Sequence, residues 1–457
     1  MATAAQGLAR FAARLAPEDI PLAVRENAAL RVLDTIGCAL AASREELAGS
    51  VLSLARQWGG GGPCTVIGSP LRTPPPLAAL ANGCLAHGLD FDDTHAPSIT
   101  HASAVLVPVV LALGQSEGLD GRSLLTALVA GYETITRLGM AAPGRFHERG
   151  WHATAVCGAF AAAVSAGSCL GLDKAKLTAA VGISASLASG VLEFLEDGTS
   201  VKRLHPGWAA HSGILAAGLA RAGLTGPATG LEGRFGFYRA ALGEAPVLGP
   251  LLASLGREWE TLRISFKPYP CCHYNHAYVD AALRLRREHG VTAASATDIE
   301  CIVPQGEVPI VCEPADTKRR PRTPYEAQFS VQFAVAAALL DGGVSVASFS
   351  RERLTDPDLL ALAARVRYTV DPQSAFPRTF PGWVKARLSD GRVVEARQEH
   401  NRGGPEQPLS IAEVVEKYRD NASRALSPPR VAELETAVLG LEGAAELRSL
   451  GSLCACD

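Results

Sequence analysis

The chain has 457 residues, 47% of them hydrophobic, and a net charge of −3. That length carries two or three domains with sizeable cores. The near-neutral balance leaves no global basic field for nucleic acid or an acidic membrane surface.

Residues 1–17 hold two arginines and no acid, a faint echo of a transit peptide. Pro17-Glu18-Asp19-Ile20-Pro21 follows as a helix connection, so an ordinary first helix is expected and no secretory signal. Up to about residue 263 the pattern is helical. Ala29, Leu30, Leu33, Ile36 and Leu40 recur at helical spacing, as do Leu124, Leu125, Leu128, Tyr132, Ile135 and Leu138. Ser123 and Asp173 stand where helix N-caps belong. Many Ala and Gly residues predict helices that approach closely. Short loops fall at 59–63 and 224–227.

After Lys267-Pro268-Tyr269-Pro270 the pattern changes. A helix over 277–287 precedes alternating, strand-like stretches at 298–303 and 365–370. Residues 383–388 and 393–396 flank an Asp-Gly turn and read as a hairpin. Segment 410–450 returns to helical spacing. The expected architecture is mainly α: a discontinuous all-helical domain (1–263 and 405–457) and a smaller α+β domain (264–404). Apolar runs such as 155–167 are too short to span a bilayer. The eleven cysteines show no C-x-x-C pair, so free buried thiols in a reducing compartment are expected. A cytoplasmic protein with no membrane or nucleic-acid partner follows.

The most informative stretch is Ala86-His87-Gly88-Leu89-Asp90-Phe91-Asp92-Asp93-Thr94-His95. It packs three carboxylates, two imidazoles and a hydroxyl between a helix-like segment (76–85) and an apolar run (104–113). Polar loops held between buried elements are where catalytic and binding groups usually sit. Bland readings exist too: a carboxylate could cap a helix, and His87 could be a satisfied core histidine.

Nine of the eleven histidines lie between His87 and His276. Eight of the nine group as His87, His95 and His101; His147 and His152; His205 within Lys202-Arg203-Leu204-His205-Pro206-Gly207; and His273 and His276 just after Lys267. The chain has seven lysines against 36 arginines, so a lysine inside a polar motif stands out, because only Lys can be tuned by burial. The groups predict a cleft between the domains lined by cations and imidazoles, suited to a polycarboxylate. His87, Asp90, Asp93, His95 and His101 could also ligate zinc or iron. No HExxH is present, and neighbouring cations oppose a metal. G-x-S-x-G and a phosphate-binding Gly loop are absent as well.

In this order, several motifs together resemble the MmgE/PrpD family, which includes 2-methylcitrate dehydratase, cis-aconitate decarboxylase and iminodisuccinate epimerase. They are Asn82-Gly83 to His87 with Leu89-Asp90-Phe91-Asp92-Asp93-Thr94; Gly150-Trp151-His152-Ala153-Thr154; Lys202-Arg203-Leu204-His205-Pro206-Gly207; Gly226-Pro227-Ala228-Thr229-Gly230-Leu231-Glu232-Gly233; Lys267-Pro268-Tyr269-Pro270; and Pro405 to Pro408 before Lys417-Tyr418. The resemblance implies a large helical and a smaller α+β domain, a homodimer, no organic cofactor or metal, and a site at the domain junction. Carried over motif by motif, the catalytic set is Asp90, His101, His152, Lys202 and Lys267. Thr94, Arg203, His205, Cys272 and His273 are the substrate-binding set.

Two departures from the decarboxylase branch stand out. His101 lies one residue further from Thr94, and Cys272 occupies the place of a histidine five residues after Lys267, with His273 next. The expectation is therefore a cofactor-independent lyase or isomerase using carbanion chemistry on a small di- or tricarboxylate. A 2-methylcitrate dehydratase-like hydro-lyase comes first, with epimerase and cis-aconitate-type decarboxylase as alternatives. A non-catalytic carboxylate-binding protein and a metal-dependent hydrolase are the readings from other classes. Lys202 and Lys267 would clamp carboxylates, or one would act as a desolvated base. His101 and His152 would move protons, Asp90 would orient an imidazole or a lysine, and Thr94 would bind a carboxylate oxygen. His273 would replace the missing histidine.

Overall fold

Small side chains decide how the helices pack. The computed structural model describes residues 2–376 and 378–456. Its helical body is built on α1 (Leu22–Ala42), α2 (Pro75–Ala86), α3 (Ala102–Glu117), α4 (Gly121–Met140), α5 (Ala153–Cys169) and α6 (Leu204–Arg221). Helix α5 is Ala-, Gly- and Cys-rich and buried on nearly every face, as expected of a helix surrounded by others. The expected cap at Ser123 moves by one turn. Asp120 is the N-cap of α4 and accepts the Ser123 amide at 2.7 Å, the usual bond to an N3 amide. Asp173 caps the helix Lys174–Ser184 as the spacing predicts.

Helices α2 and α6 touch backbone to backbone. A β-carbon at Gly207 would stand 2.2 Å from the Leu80 carbonyl oxygen, and one at Gly83 would stand 2.6 Å from the Gly207 Cα. Both glycines belong to motifs singled out in the sequence, and their contact holds the Lys202–His205 turn against the end of α2. Gly207→Ala should therefore cost about 1–3 kcal/mol by overpacking, read as a lowered urea midpoint at unchanged m-value.

The second core lies around α7 (His276–His289) and α8 (Val331–Asp341). They pack against strands β1 (Ala296–Pro304), β2 (Val366–Asp371), β3 (Gly382–Leu388) and β4 (Val393–Gln398), in the order β2-β1-β3-β4. The β1–β2 pair is parallel, with Ile299 opposite Val366; β1–β3 and β3–β4 are antiparallel. Ile299, Cys301 and Val303 alternate inward on β1, as do Val384, Ala386 and Leu388 on β3. That period-2 burial is expected of a sheet with one covered face.

Helices α9 (Ile411–Ala422) and α10 (Pro428–Leu439) return to the helical core through Val415, Tyr418, Leu434 and Val438. Tyr418 fills the notch left by Gly37 on α1. Among the described residues, no helix is long and apolar enough to cross a membrane.

Candidate active site

The decapeptide after α2 is buried from His87 to His95, so each of its charges needs a partner. Asp92 takes the His87 Nδ1 at 2.9 Å. Asp93 meets Arg31 at 3.3 Å and accepts the Ser103 amide at 3.0 Å. Lys417, on α9, donates to the Phe91 carbonyl at 2.7 Å and pairs with Asp34 at 2.7 Å. The C-terminal helices thus brace the loop from behind. His95 faces away from the cleft, bonded to Ser98 at 2.8 Å and Glu260 at 3.2 Å.

Asp90 is the centre. Its Oδ1 accepts Lys202 Nζ at 3.0 Å and Lys267 Nζ at 3.1 Å, and Lys267 also donates to the Asp90 carbonyl at 2.9 Å. Its Oδ2 is buried without a hydrogen-bond partner among the described residues. Burial opposes ionisation of Asp90, but the two ammoniums overcome it and hold the carboxyl well below the usual carboxylate range. Burial likewise works against a charged Lys267, yet Asp90 and Asp92 carry its pKa above the ordinary lysine value. Asp90 has φ +50°, and Ile99, which also lines the cleft, has φ +52°. A β-branched residue rarely adopts that left-handed region. The pair of bonds between His95 and Thr100 (2.8 and 3.4 Å) closes the loop that bends Ile99 there.

Lys267 arrives by strand-like pairing: Thr94 and Ser265 exchange backbone bonds at 3.0 and 2.7 Å. The residue is fully buried beneath Asp90, outside the cleft wall. Lys202 lies on the turn before α6, with its ammonium 4.7 Å from the centre of the Phe329 ring, and does face the cleft.

His101 and His152 are the N-caps of α3 and α5. Thr154 joins the two helix starts, its hydroxyl accepting the His101 amide at 3.0 Å. Two positive helix ends therefore open toward one place. His101 Nδ1 lies 2.8 Å from the Asp93 carbonyl oxygen and 3.1 Å from Thr94 Oγ1. A carbonyl only accepts, so Nδ1 carries the hydrogen and Nε2 the lone pair. His152 Nδ1 lies 3.0 Å from His205 Nδ1, and one of them must carry the shared hydrogen. Burial, reinforced by neighbouring lysines and histidines, drives the pKa values of His87, His101 and His152 well below the ordinary imidazole range. Burial, with Lys202 adding to it, brings His147 and His205 down to about 4.

Part of this set lines one cleft of about 560 Å³, counted with its open mouth. Asp90, Thr94, His101, His152, Lys202, Cys272 and His273 all reach it. Arg203 and His205 lie one layer back, Arg203 4.9 Å from the Tyr325 ring centre and His205 behind His152. Burial pushes the Cys272 thiol up to about 11 and the His273 imidazole down to about 3. Both His273 ring nitrogens lack hydrogen-bond partners among the described residues.

Sequence reasoning left several wall residues out of the site. The sequence marks His147 only as one of a pair of histidines, whereas the structure puts it in the cleft wall. Phe194, Tyr274, Phe329 and Phe380 supply an apolar wall, and no local pattern separates them from core aromatics.

Residues 6–248 match the MmgE/PrpD N-terminal domain and residues 269–442 the MmgE/PrpD C-terminal domain. The chain is 28% identical to a cis-aconitate decarboxylase of Aspergillus terreus, over 98% of this chain and 95% of that one. It is 32% identical to human cis-aconitate decarboxylase, over 90% of this chain and 86% of the human one. The mouse cis-aconitate decarboxylase is 31% identical over 90% and 85%.

Proposed function

The chain belongs to the MmgE/PrpD family, and from that premise we propose that it is a cofactor-independent lyase that decarboxylates a small unsaturated tricarboxylate of the cis-aconitate kind. The observation that carries this reading is the convergence of Lys202, two helix N-termini and several unprotonated imidazoles on one half-apolar cleft. Cations and helix starts hold carboxylates. An apolar wall without charge or hydrogen bonds favours loss of the carboxylate facing it, because a neutral product replaces a desolvated anion.

In the reaction, the bond to the departing carboxylate breaks and carbon dioxide leaves. The bond pair shifts through the neighbouring double bond to the carbon beside a second carboxylate. Lys202 stabilises the enolate-like charge there. A proton delivered by His101 or His152 completes the product. Both imidazoles are unprotonated in the free protein, and the arriving negative charge raises their affinity for the proton they deliver. Lys267 acts through Asp90, fixing its carboxylate and through it the Lys202 ammonium.

Dehydration is retained as a second reading because Cys272 stands where the decarboxylase branch carries a histidine. The unpartnered His273 beside it supplies an imidazole at nearly the same place, which supports decarboxylation. One experiment separates the outcomes: ¹³C-labelled di- and tricarboxylates followed by NMR in heavy water. Labelled carbon dioxide with one deuterium in the product is expected. Net loss of water would replace the reading with a dehydratase, and deuterium uptake without net conversion with an epimerase. Silence across the panel would favour a carboxylate-binding protein.

A cytoplasmic homodimer completes the proposal. All eleven cysteines are buried and none forms a disulfide among the described residues, which suits a reducing compartment. Leu204, Trp208 and Leu215 form an exposed apolar stripe on α6, each about 40% exposed, the kind of patch that marks an interface. Trp208→Glu should shift the sedimenting species from dimer toward monomer, and a wild-type monomer would refute the assembly.

A further inference from the structure

We propose that His87, His101 and His152 form a binding site for a first-row divalent ion of zinc's ligand preference, and that the ion inhibits by occupying the cleft. One ring nitrogen from each of the three lies within 4.8 Å of the others, and their ring centroids are 4.8, 6.1 and 6.2 Å apart. A tetrahedral zinc, with Zn–N of about 2.0–2.1 Å, sets its nitrogens about 3.4 Å apart. Closing the cluster to that spacing brings the nitrogens together by about 1–1.5 Å.

The outer shell is already in place. His87 spends Nδ1 on the Asp92 carboxylate at 2.9 Å and leaves Nε2 buried without a partner among the described residues. His101 spends Nδ1 on the Asp93 carbonyl at 2.8 Å, and His152 Nδ1 meets His205 at 3.0 Å. A carboxylate or carbonyl on one nitrogen orients an imidazole and strengthens the other as a ligand. An Asp90 oxygen lies within 4.8 Å of ring nitrogens of His87 and His101, in a second grouping that takes in Asp92 and not His152, so the fourth position is left to water. Lys202 and Lys267 both stand against the Asp90 carboxylate, and the Asp92 charge also acts on Lys267, so the cations are offset by acids rather than left facing the ion. The ion takes up the imidazoles that would otherwise move protons. Binding stands on this geometry alone, while inhibition rests on reading the cleft as the catalytic site.

The test uses the full chain, freed of metal by a chelator and titrated with Co²⁺, then with Zn²⁺. Visible ligand-field bands of low-coordinate Co²⁺ should saturate at one ion per chain and vanish on adding equimolar Zn²⁺. His87→Gln and His152→Gln, each checked for folding by circular dichroism, should weaken Co²⁺ binding at least about tenfold. Cys272→Ser should keep it. No saturating band in the wild type overturns the site, as do bands that survive both histidine variants or disappear with Cys272→Ser. Saturating Co²⁺ bands with undiminished decarboxylation would retain the ion site and overturn inhibition and the catalytic reading of the cleft.

Discussion

Asp90→Asn should cost the fold about 3–5 kcal/mol and abolish turnover. Removing the charge leaves two buried ammoniums without their shared counter-ion, and an uncompensated buried charge is among the most expensive single lesions. The amide keeps an acceptor oxygen, so the loss reports charge and not hydrogen-bond count. Asp90→Asn combined with Lys267→Met should recover much of the stability and none of the activity, because Lys202 still lacks its anchor. That non-additivity is the signature of one coupled unit.

The pH dependence has a definite sign. The native carboxyl of Asp90 is held below its ordinary value, so between the native and unfolded pKa values the unfolded chain binds more protons. Its contribution is therefore complete above about pH 4 and is lost as pH falls through the native pKa. The gap in unfolding free energy between wild type and Asp90→Asn should be widest near neutrality and shrink in acid. Denaturant melts across pH measure it, and a constant gap would mean that the carboxylate charge is not what holds the lysines.

Lys202→Ala should lower kcat/KM by about 10²–10³, the scale of losing a preorganised donor at developing charge. Lys202→Arg separates the two roles available to the residue. A clamp tolerates a second cation, so substrate affinity should persist with a partial loss of kcat. A desolvated base has no substitute in a group that does not release its proton, and turnover would vanish with binding kept. Full activity in Lys202→Ala would remove both roles.

Much of the arrangement was legible because it is carried by local periodicity. The α+β segment reads from the alternation of Ile299, Cys301 and Val303 and from the Asp390-Gly391 turn, whose residues suit only a few backbone shapes. The helical body reads from the spacing of Leu124, Leu128 and Ile135 on α4. The cap moved from Ser123 to Asp120 because either residue type can cap, and only the path of the chain selects the one whose oxygen meets an N3 amide.

The site was legible as a set of residue types and not as an arrangement. Asp90, Lys202 and Lys267 were named together, but their order in depth was not. Lys267 lies under Asp90, whereas Lys202 faces the cleft, and Arg203 and His205 stand behind the wall. Nothing in Lys202-Arg203-Leu204-His205 distinguishes these orientations, because the turn before α6 sends adjacent side chains in different directions.

By itself, the order of amino acids determined which segments coil, which pair as strands, and which chemical groups the molecule has available, since each depends on near neighbours. Only the tertiary structure decided which of those groups meet. The Asp90–Lys202 contact spans 112 residues and the Asp90–Lys267 contact 177. The protonation states follow from that meeting, because desolvation and Coulomb forces depend on distance through space and not on distance along the chain.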